Sequence, residues 1–186
     1  MVLKNLLSFG KLTGATMKLG VLKEPEGETR VAIVPTSMKK LLKAGFEVVV
    51  ESGAGVAANY ADSAYEEAGA TVGSREDALA CDTVITIRFP GVEGMKKGTN
   101  LACVSDPFRN PQFVKDCLSS NITLLSMDMI PRRLSRAQSM DVNSSQDNLA
   151  GYKAVLLGAA HVPKGIPMMT TSAGTVSYTH LRAHET

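Results

Sequence analysis

The stretch MKLGVLKEPEGETRVAIVPTSMKKLLKAGFEVVVES, residues 17–52, contains the pattern that decides the fold. Two runs rich in valine and leucine, KLGVLK and FEVVVES, are typical of strands that are buried on both faces. Between them, PTSMKKLLKAG starts with Pro35 and stops at Gly45, the usual order at the beginning and end of a helix. We therefore predict a strand, a helix and a second strand.

The same alternation continues as far as Met127. Four more apolar runs indicate strands: ATVG, DTVITIR, NLACVS and ITLLSM. Two more helices are indicated by DSAYEEAG, with Asp62 as its cap, and by NPQFVKDCLSSN, with Pro111 in its first turn. Six strands alternating with helices predict an α/β fold, a doubly wound and mostly parallel sheet of the flavodoxin or Rossmann type. Ligands of such sheets lie at the carboxyl ends of the strands.

Glycine-rich loops do not identify a nucleotide site in this pattern. No G-x-G-x-x-G sequence follows any of the predicted strands, although GAGVAANYA contains glycines. From pattern alone, the chain is an α/β domain with one unusual polar run, PRRLSRAQSMDVNSSQDN, after the last strand.

Composition excludes several classes of protein. Hydrophobic residues make up 44% of the 186 residues and charged residues 20%, which predicts a packed core. The formal charge of +2 comes from Lys4 and Lys11, so the remaining chain is neutral and lacks the basic patch that nucleic-acid binding requires. The longest apolar run near the end, AVLLGAAHV, is far shorter than the ~20 residues of a membrane span, so we predict a soluble piece.

The cysteines are few and widely spaced: Cys81, Cys103 and Cys117. An odd number without metal-ligand spacing predicts reduced core thiols, with neither disulfides nor a zinc site. We predict no metal.

A further helical pattern, SSQDNLAGYKAVLLGAAH, follows the polar run. Ser144 or Ser145 can cap it. Its apolar residues share one face: Leu149, Tyr152, Val155, Leu156 and Ala159. We expect His161, late in this helix, to be a partly buried packing residue. The next stretch, VPKGIPMMTTSAGTV, is rich in Pro, Gly and Thr and predicts a linker.

Two motifs carry a resemblance to a known family. GVLKEPEGETRVAIVPTSMKKLLKAGFEVVVESGAG resembles the N-terminal domain shared by alanine dehydrogenase and the alpha subunit of proton-translocating NAD(P) transhydrogenase. MDMIPRRLSRAQSMDVNSSQDNLAGYKAVLLGAAH, followed by PMMTTSAGTV, resembles the transhydrogenase branch in particular. The resemblance covers Met17–Val176. In that family a glycine-rich NAD-binding Rossmann domain follows, so we expect it to be truncated away here and the 186 residues to be inactive alone.

The resemblance also suggests domain boundaries. Residues 1–16 are an N-terminal extension, either a poor organellar presequence or, as we prefer, the product of an upstream start codon chosen in error. Residues 17–143 form the N-terminal domain of the family, and residues 144–176 form a linking helix and linker toward the NAD-binding domain. Residues 177–186 are expected to be a non-native tail, because VSYTHLRAHET resembles the translation of a transposon-end sequencing adapter. Its two histidines, at i, i+4 spacing, do not make a zinc site by themselves.

The activity that the resemblance implies is hydride transfer between NAD(H) and NADP(H), coupled to proton translocation by partner domains. Direct hydride transfer needs proximity and orientation and no general acid–base pair. In the family an Arg, Gln and Asp triplet positions the nicotinamide, and such side chains hold carboxamides and ribose hydroxyls well. The triplet corresponds to Arg133, Gln138 and Asp141, with Ser144 and Ser145 as further cofactor-binding residues. Pro131 and Gln138 are separated by one residue more than usual.

That extra residue leaves Arg132 as an alternative to Arg133 for the positioning arginine. The competing interpretation of the whole run is a set of solvated loop charges around a helix cap. NAD(H) would bind in this subunit and NADP(H) in a partner domain, with a proton-translocating membrane domain as a further partner. We also expect a homodimer at the cytoplasmic face, peripheral to the inner membrane through its partners.

Two other arginines are candidates for a substrate cleft. Arg30 corresponds to an arginine that binds the substrate carboxylate in alanine dehydrogenases, although a structural salt bridge to Glu24 or Glu28 is an equal alternative. Arg88 falls where those enzymes place a lysine, but an exposed cation at a strand end is the preferred interpretation.

An alanine dehydrogenase-type activity is the alternative function. Asp106 and Pro107 occupy the region where those enzymes carry a catalytic histidine, and amine oxidation needs a proton acceptor. The missing histidine disfavours that activity. A third possibility is a truncated fragment without catalysis.

Overall fold

The fold is a parallel α/β sheet, seen in a computed structural model that describes residues 17–163, 169–171 and 174–176. In this described part, one sheet contains β1 (Met17–Val21), β2 (Phe46–Glu51), β3 (Thr71–Gly73), β4 (Thr83–Arg88), β5 (Asn100–Val104) and β6 (Thr123–Ser126). The strand order is β3-β2-β1-β4-β5-β6, and every neighbouring pair is parallel. The predicted strands and the Rossmann-like class are confirmed. The order reverses between β1 and β4, where folds of this type open a ligand crevice.

Helices connect the strands: α1 (Pro35–Lys43), α2 (Asp62–Glu67), α3 (Arg75–Leu79) and α4 (Pro111–Ser119). The sequence predicted α1, α2 and α4. Helix α3 was missed because five residues show no apolar period. A capping box defines it instead, in which the Ser74 hydroxyl accepts the Asp77 N–H at 3.2 Å and the Asp77 carboxylate accepts the Ser74 N–H at 3.0 Å.

The predicted cap of α2 is wrong. Ala61 is the cap residue, and Asp62 is the first residue of the helix. The Asp62 carboxylate instead accepts the Gly53 N–H at 2.9 Å and the Ser52 hydroxyl at 2.7 Å. Helix α2 is thereby tied to the loop after β2.

Two apolar clusters cover the two faces of the sheet. Val84 belongs to one cluster and Ile85 packs against the other, and neighbouring strand residues point to opposite faces. The cysteines are buried and unpaired, as predicted. Burial raises the pKa of the Cys103 thiol to about 12, so this thiol stays protonated at neutral pH.

Gly20 of β1 allows α3 to touch the sheet directly. A Cβ atom added at Gly20 would lie 2.0 Å from the carbonyl oxygen of Ala78. A glycine inside a strand commonly marks such an approach of two backbones.

A second compact unit follows the sheet, since the chain divides between Val142 and Asn143. It contains most of α5 (Val142–His161) and, within the stretch predicted as a linker, an antiparallel pair of short strands, β7 (Met169–Thr171) and β8 (Gly174–Val176). The sequence did not predict these two strands, and the role of the stretch as a linker toward a further domain stays a prediction.

Two expectations about α5 are also wrong. The helix begins at Val142, so Ser144 and Ser145 lie in its first turn and not at its cap. His161, expected to be partly buried, is exposed. The apolar side chains that share a helical period are exposed too, as Tyr152 is at 68%. Among the described residues, no helix combines the length and the apolar character that a membrane span requires.

Candidate functional site

A buried carboxylate joins the loop after β1 to the end of β4, at the reversal of strand order. Glu24 accepts the Thr86 hydroxyl at 2.9 Å, the Ile87 N–H at 2.6 Å and the Arg88 N–H at 3.0 Å. Three donors compensate for the lost hydration of a carboxylate that is 9% exposed. This network fixes the floor of the crevice.

Glu28 brings the two cleft arginines together. Arg30 donates from Nε and Nη2 to its two oxygens at 2.7 and 2.6 Å, and Arg88 Nε donates at 3.2 Å. The Glu28 side chain is 8% exposed. Hydrogen bonds from the Arg30 side chain outweigh the effect of burial and lower the pKa of Glu28 from 4.5 to about 2.

These contacts bear on the alternatives for both arginines. The salt bridge from Arg30 to Glu28 is present, as one of the two interpretations of Arg30 predicted. Arg88 is the last residue of β4, and it is exposed but paired with Glu28. Their binding of a substrate stays a prediction.

A small cleft of ≈ 180 Å³ lies beside this ion-pair group. Its lining combines charged side chains with a glycine-containing loop: Lys23, Glu24, Glu28, Arg30, Gly53, Ala54, Val56 and Ala57. The volume is below the ~300 Å³ of sites for drug-sized ligands, so it suits only a small group or one end of a larger ligand.

The loop wall of this cleft was missed by sequence reasoning. Residues 53–58, GAGVAA, read G-x-G-x-x-A, a variant of the dinucleotide fingerprint with alanine in the last position. The loop follows β2 and opens only a three-residue 3₁₀ helix, Val56–Ala58. The Gly53 N–H is bonded to Asp62, and a Cβ at Gly55 would lie 2.6 Å from a ring carbon of Tyr65. The glycines therefore serve packing.

A second polar network lies at the ends of β5 and β6. The Asp128 carboxylate accepts the N–H groups of Ser105 and Asp106 at 3.1 and 3.0 Å and the Ser126 hydroxyl at 2.7 Å. Burial raises the pKa of Asp128, but these hydrogen bonds lower it more, and the net shift is downward. Asp106 has φ of 42°, a left-handed conformation that is uncommon outside glycine. Asp128 thus anchors the start of the residues that follow β6.

Residues Pro131–Asp141, here named the polar segment, contain the predicted triplet. Successive turns and a 3₁₀ helix, Gln138–Met140, form the segment. Arg132 Nε lies 3.6 Å from Asp141 Oδ2, and the Asp141 side chain is 8% exposed. Arg133 and Gln138 are exposed to solvent.

The structure therefore groups some of the predicted residues. Arg30 and Arg88 share one carboxylate, and Arg132 lies beside Asp141. Ser144 and Ser145 are exposed in the first turn of α5. Within the described ranges, no group of three His, Cys, Asp or Glu side chains could hold a metal ion. His180 and His184 lie outside those ranges.

The segment presents hydrogen-bond donors and one carboxylate, Asp141, which lies beside Arg132. Its exposed guanidinium and amide groups are donors for carbonyl and hydroxyl oxygens. Histidine and free cysteine, the usual proton carriers, are missing from residues 131–141.

Comparisons with known proteins agree on one family. The profile of the alanine dehydrogenase/PNT, N-terminal domain matches residues 20–150. The chain is 45% identical over 171 residues to the first part of the NAD(P) transhydrogenase subunit alpha of Rhodospirillum rubrum, and the match covers 86% of this chain and 44% of that protein. The crystal structure of transhydrogenase from Sinorhizobium meliloti matches with a TM-score of 0.78 at 41% identity, covering 86% of this chain and 49% of that one.

The match to an alanine dehydrogenase is shorter. Alanine dehydrogenase 1 of Staphylococcus aureus is 39% identical over 75 residues, which covers 40% of this chain and 20% of that protein. The chain spans less than half the length of each of these relatives.

Proposed function

The chain belongs to the alanine dehydrogenase/PNT, N-terminal domain family, as its motifs indicated, and we propose that it is a piece of the NAD(H)-side component of an NAD(P) transhydrogenase. One observation carries the proposal. The match to the Rhodospirillum rubrum subunit covers 86% of the chain, and a match of that length must include the polar segment. The match to the alanine dehydrogenase covers only 40% of the chain.

The side chains of the polar segment fit a nicotinamide cofactor. When bound, NAD(H) supplies the hydride, so the chain's own residues need only bind and orient it. Gln138 can hydrogen-bond a carboxamide from both ends of its amide, and Arg133 can donate to carbonyl or hydroxyl oxygens. Asp141 can accept from a ribose hydroxyl, and Ser144 and Ser145 add hydroxyl groups for the same purpose.

Direct hydride transfer is compatible with a segment that has polar side chains but no histidine or cysteine. No proton is gained or lost at the reacting carbons, so a general base would have no task there. Fixed guanidinium and carboxylate groups also adjust the electrostatics of a ring whose positive charge changes.

Arg30 and Arg88 are proposed to face the substrate side of the cleft, with Glu28 fixing both guanidinium groups. NADP(H) would bind in a separate domain, and a proton-translocating membrane domain would complete the enzyme at the cytoplasmic face of the inner membrane. A homodimer of the NAD(H)-side component completes the proposal. The name of the Rhodospirillum rubrum relative, which marks it as the first portion of a divided alpha subunit, agrees with a protein built from several chains.

Alanine dehydrogenase activity is disfavoured by the residues after β5. Asp106, in a left-handed conformation and bonded within the Asp128 network, stands in the region where that activity would need a histidine. A fragment that catalyses nothing by itself is compatible with the proposal, which concerns the protein to which these residues belong.

A chimera provides the test. Residues 17–176 of this chain replace the matching residues of the Rhodospirillum rubrum subunit, and hydride transfer is followed with the NADP-binding component present. In the chimera, Gln138→Asn should slow hydride transfer on the order of 10²-fold, because a small misplacement of the reacting groups has that effect. NADH affinity should change much less.

Gln112→Asn is the matched control, because Gln112 is an exposed glutamine on α4 bonded to Asp116. It should leave both quantities unchanged. Equal losses of rate and affinity in Gln138→Asn would show a simple binding role and contradict the proposed orientation of the nicotinamide.

A further inference from the structure

The polar segment contains two adjacent arginines that the structure places in different surroundings. Arg132 lies beside a nearly buried carboxylate, with its Nε atom 3.6 Å from Asp141 Oδ2. Arg133 is exposed and, among the residues that the structure describes, takes part in no ion pair. Adjacent identical residues can therefore have separate tasks.

Local hydrogen bonds shape the turns of the segment. The Leu134 N–H is bonded to the Pro131 carbonyl at 3.3 Å, and the Ala137 N–H to the Leu134 carbonyl at 2.8 Å. The Asp141 N–H is bonded to the Gln138 carbonyl at 3.3 Å. Each of these three bonds spans three residues, so none of them joins the two ends of the segment directly.

The ion pair between Arg132 and Asp141 links those ends. It joins the second residue of the segment to the last, with Gln138 and Arg133 between them in sequence. Ala137, in the middle of the segment, is buried, at 5% exposed. Asp128 fixes the residues just before the segment to the end of β5.

Burial of its carboxylate partner distinguishes this contact from an ion pair between two exposed side chains. Only the carboxylate partner is buried: the Asp141 side chain is 8% exposed and the Arg132 side chain 52%. A carboxylate removed from water is costly unless a cation or hydrogen-bond donors compensate for the lost hydration. Removing Arg132 leaves that carboxylate with less compensation, so the change should be more damaging than removing a cation that faces only solvent.

We propose that Arg132 is a positioning residue that holds Asp141 and closes the polar segment, while Arg133 keeps the ligand contact already assigned to it by the proposed function. The closure keeps Gln138 and Arg133 on a segment of fixed shape. The effect on ligand orientation rests on the proposed nicotinamide function. The link between Arg132 and Asp141, which closes the segment, does not depend on that function.

Hydrogen–deuterium exchange of the 186-residue chain tests the closure without any cofactor. Arg132→Gln should raise the exchange rate of peptides covering residues 131–141 by about three- to tenfold, because the segment opens more often. Arg133→Gln, the matched control, should leave those rates unchanged, and Arg132→Lys should restore some of the protection. Equal exchange in the two glutamine variants would overturn the assignment.

Kinetics of the chimera test the division of tasks. Arg132→Gln should lower kcat about tenfold, with partial rescue by Arg132→Lys, because the orienting groups lose their fixed position. Arg133→Gln should instead raise KM for NADH about tenfold while exchange stays unchanged. A raised exchange rate in Arg132→Gln with unaltered kcat would overturn the positioning role.

The proposed function and the inference about Arg132 can fail separately. If the chimera transfers no hydride while the Rhodospirillum rubrum parent does, the proposed function fails, and a raised exchange rate in Arg132→Gln still supports the closure. If the chimera is active but Arg132→Gln changes neither exchange nor kcat, only the inference about Arg132 fails.

Discussion

Replacing Glu28 by glutamine should destabilise the protein, because Glu28 is the one carboxylate shared by Arg30 and Arg88 in the described residues. Its pKa falls from 4.5 to about 2 in the folded protein. A shift of that size corresponds to roughly 3 kcal/mol of stabilisation. The two arginine side chains are 42% and 60% exposed, so solvent screening reduces the expected loss to about 1–2 kcal/mol.

The effect should depend on pH in a defined direction. The folded-state pKa of Glu28 is depressed, so its stabilisation is complete above the unfolded value of 4.5 and is lost as pH falls toward 2. At pH 3 less than half of it should remain, on the order of 0.5 kcal/mol.

Urea denaturation followed by circular dichroism measures this prediction at pH 7 and pH 3. The difference between wild type and Glu28→Gln should be about 1–2 kcal/mol at pH 7 and should shrink at pH 3. Glu66→Gln is the matched control, because Glu66 is exposed on α2 and should matter at neither pH. A difference of the same size at both pH values, or none at pH 7, would refute the ion-pair reasoning.

Three further predictions concern stability and binding. Gly20→Ala should lower the free energy of unfolding by more than about 2 kcal/mol, because the added Cβ would meet the Ala78 carbonyl. Gly151→Ala in α5 should raise the free energy of unfolding by up to about 1 kcal/mol, because no atom lies within 4 Å of the added carbon. Similar melting temperatures for the two variants would contradict this. Deleting Ser177–Thr186 should leave the free energy of unfolding within roughly 0.5 kcal/mol, and a clear drop in melting temperature would show a native element there. The 186-residue chain alone should bind NADH weakly, since no complete G-x-G-x-x-G sequence follows its strands, and low-micromolar affinity by calorimetry would disprove it.

The sheet was predictable because its strands are covered on both faces. Such strands are continuous apolar runs, and FEVVVES and DTVITIR could be identified without knowing their neighbours. Helix α3 was not predictable in this way, because its five residues depend on a capping box and on contact with Gly20. The role of Asp62 could not be predicted either. Its carboxylate could cap a helix or accept a hydrogen bond from another loop, and in the structure it accepts the Gly53 N–H.

The site was predictable in residue types but not in pairings. The sequence left Arg30 with either a ligand or a glutamate partner, and only the fold brings Arg88, 60 residues away from Glu28, to the same carboxylate. Arg132 and Arg133 are equivalent in the sequence, and their difference comes from the turns that place one of them beside Asp141. The apolar residues of α5 showed a helical period, but the period does not determine what covers them.

The central claim is that this chain belongs to a component that passes hydride directly from NAD(H) to NADP(H). The most direct test supplies the chimera and its NADP-binding partner with NADH that carries deuterium at the transferred position. We predict NADPH that retains the label, with none released to water. Loss of the label to solvent, or reduction of NAD⁺ by L-alanine in place of transfer to NADP⁺, would contradict the claim.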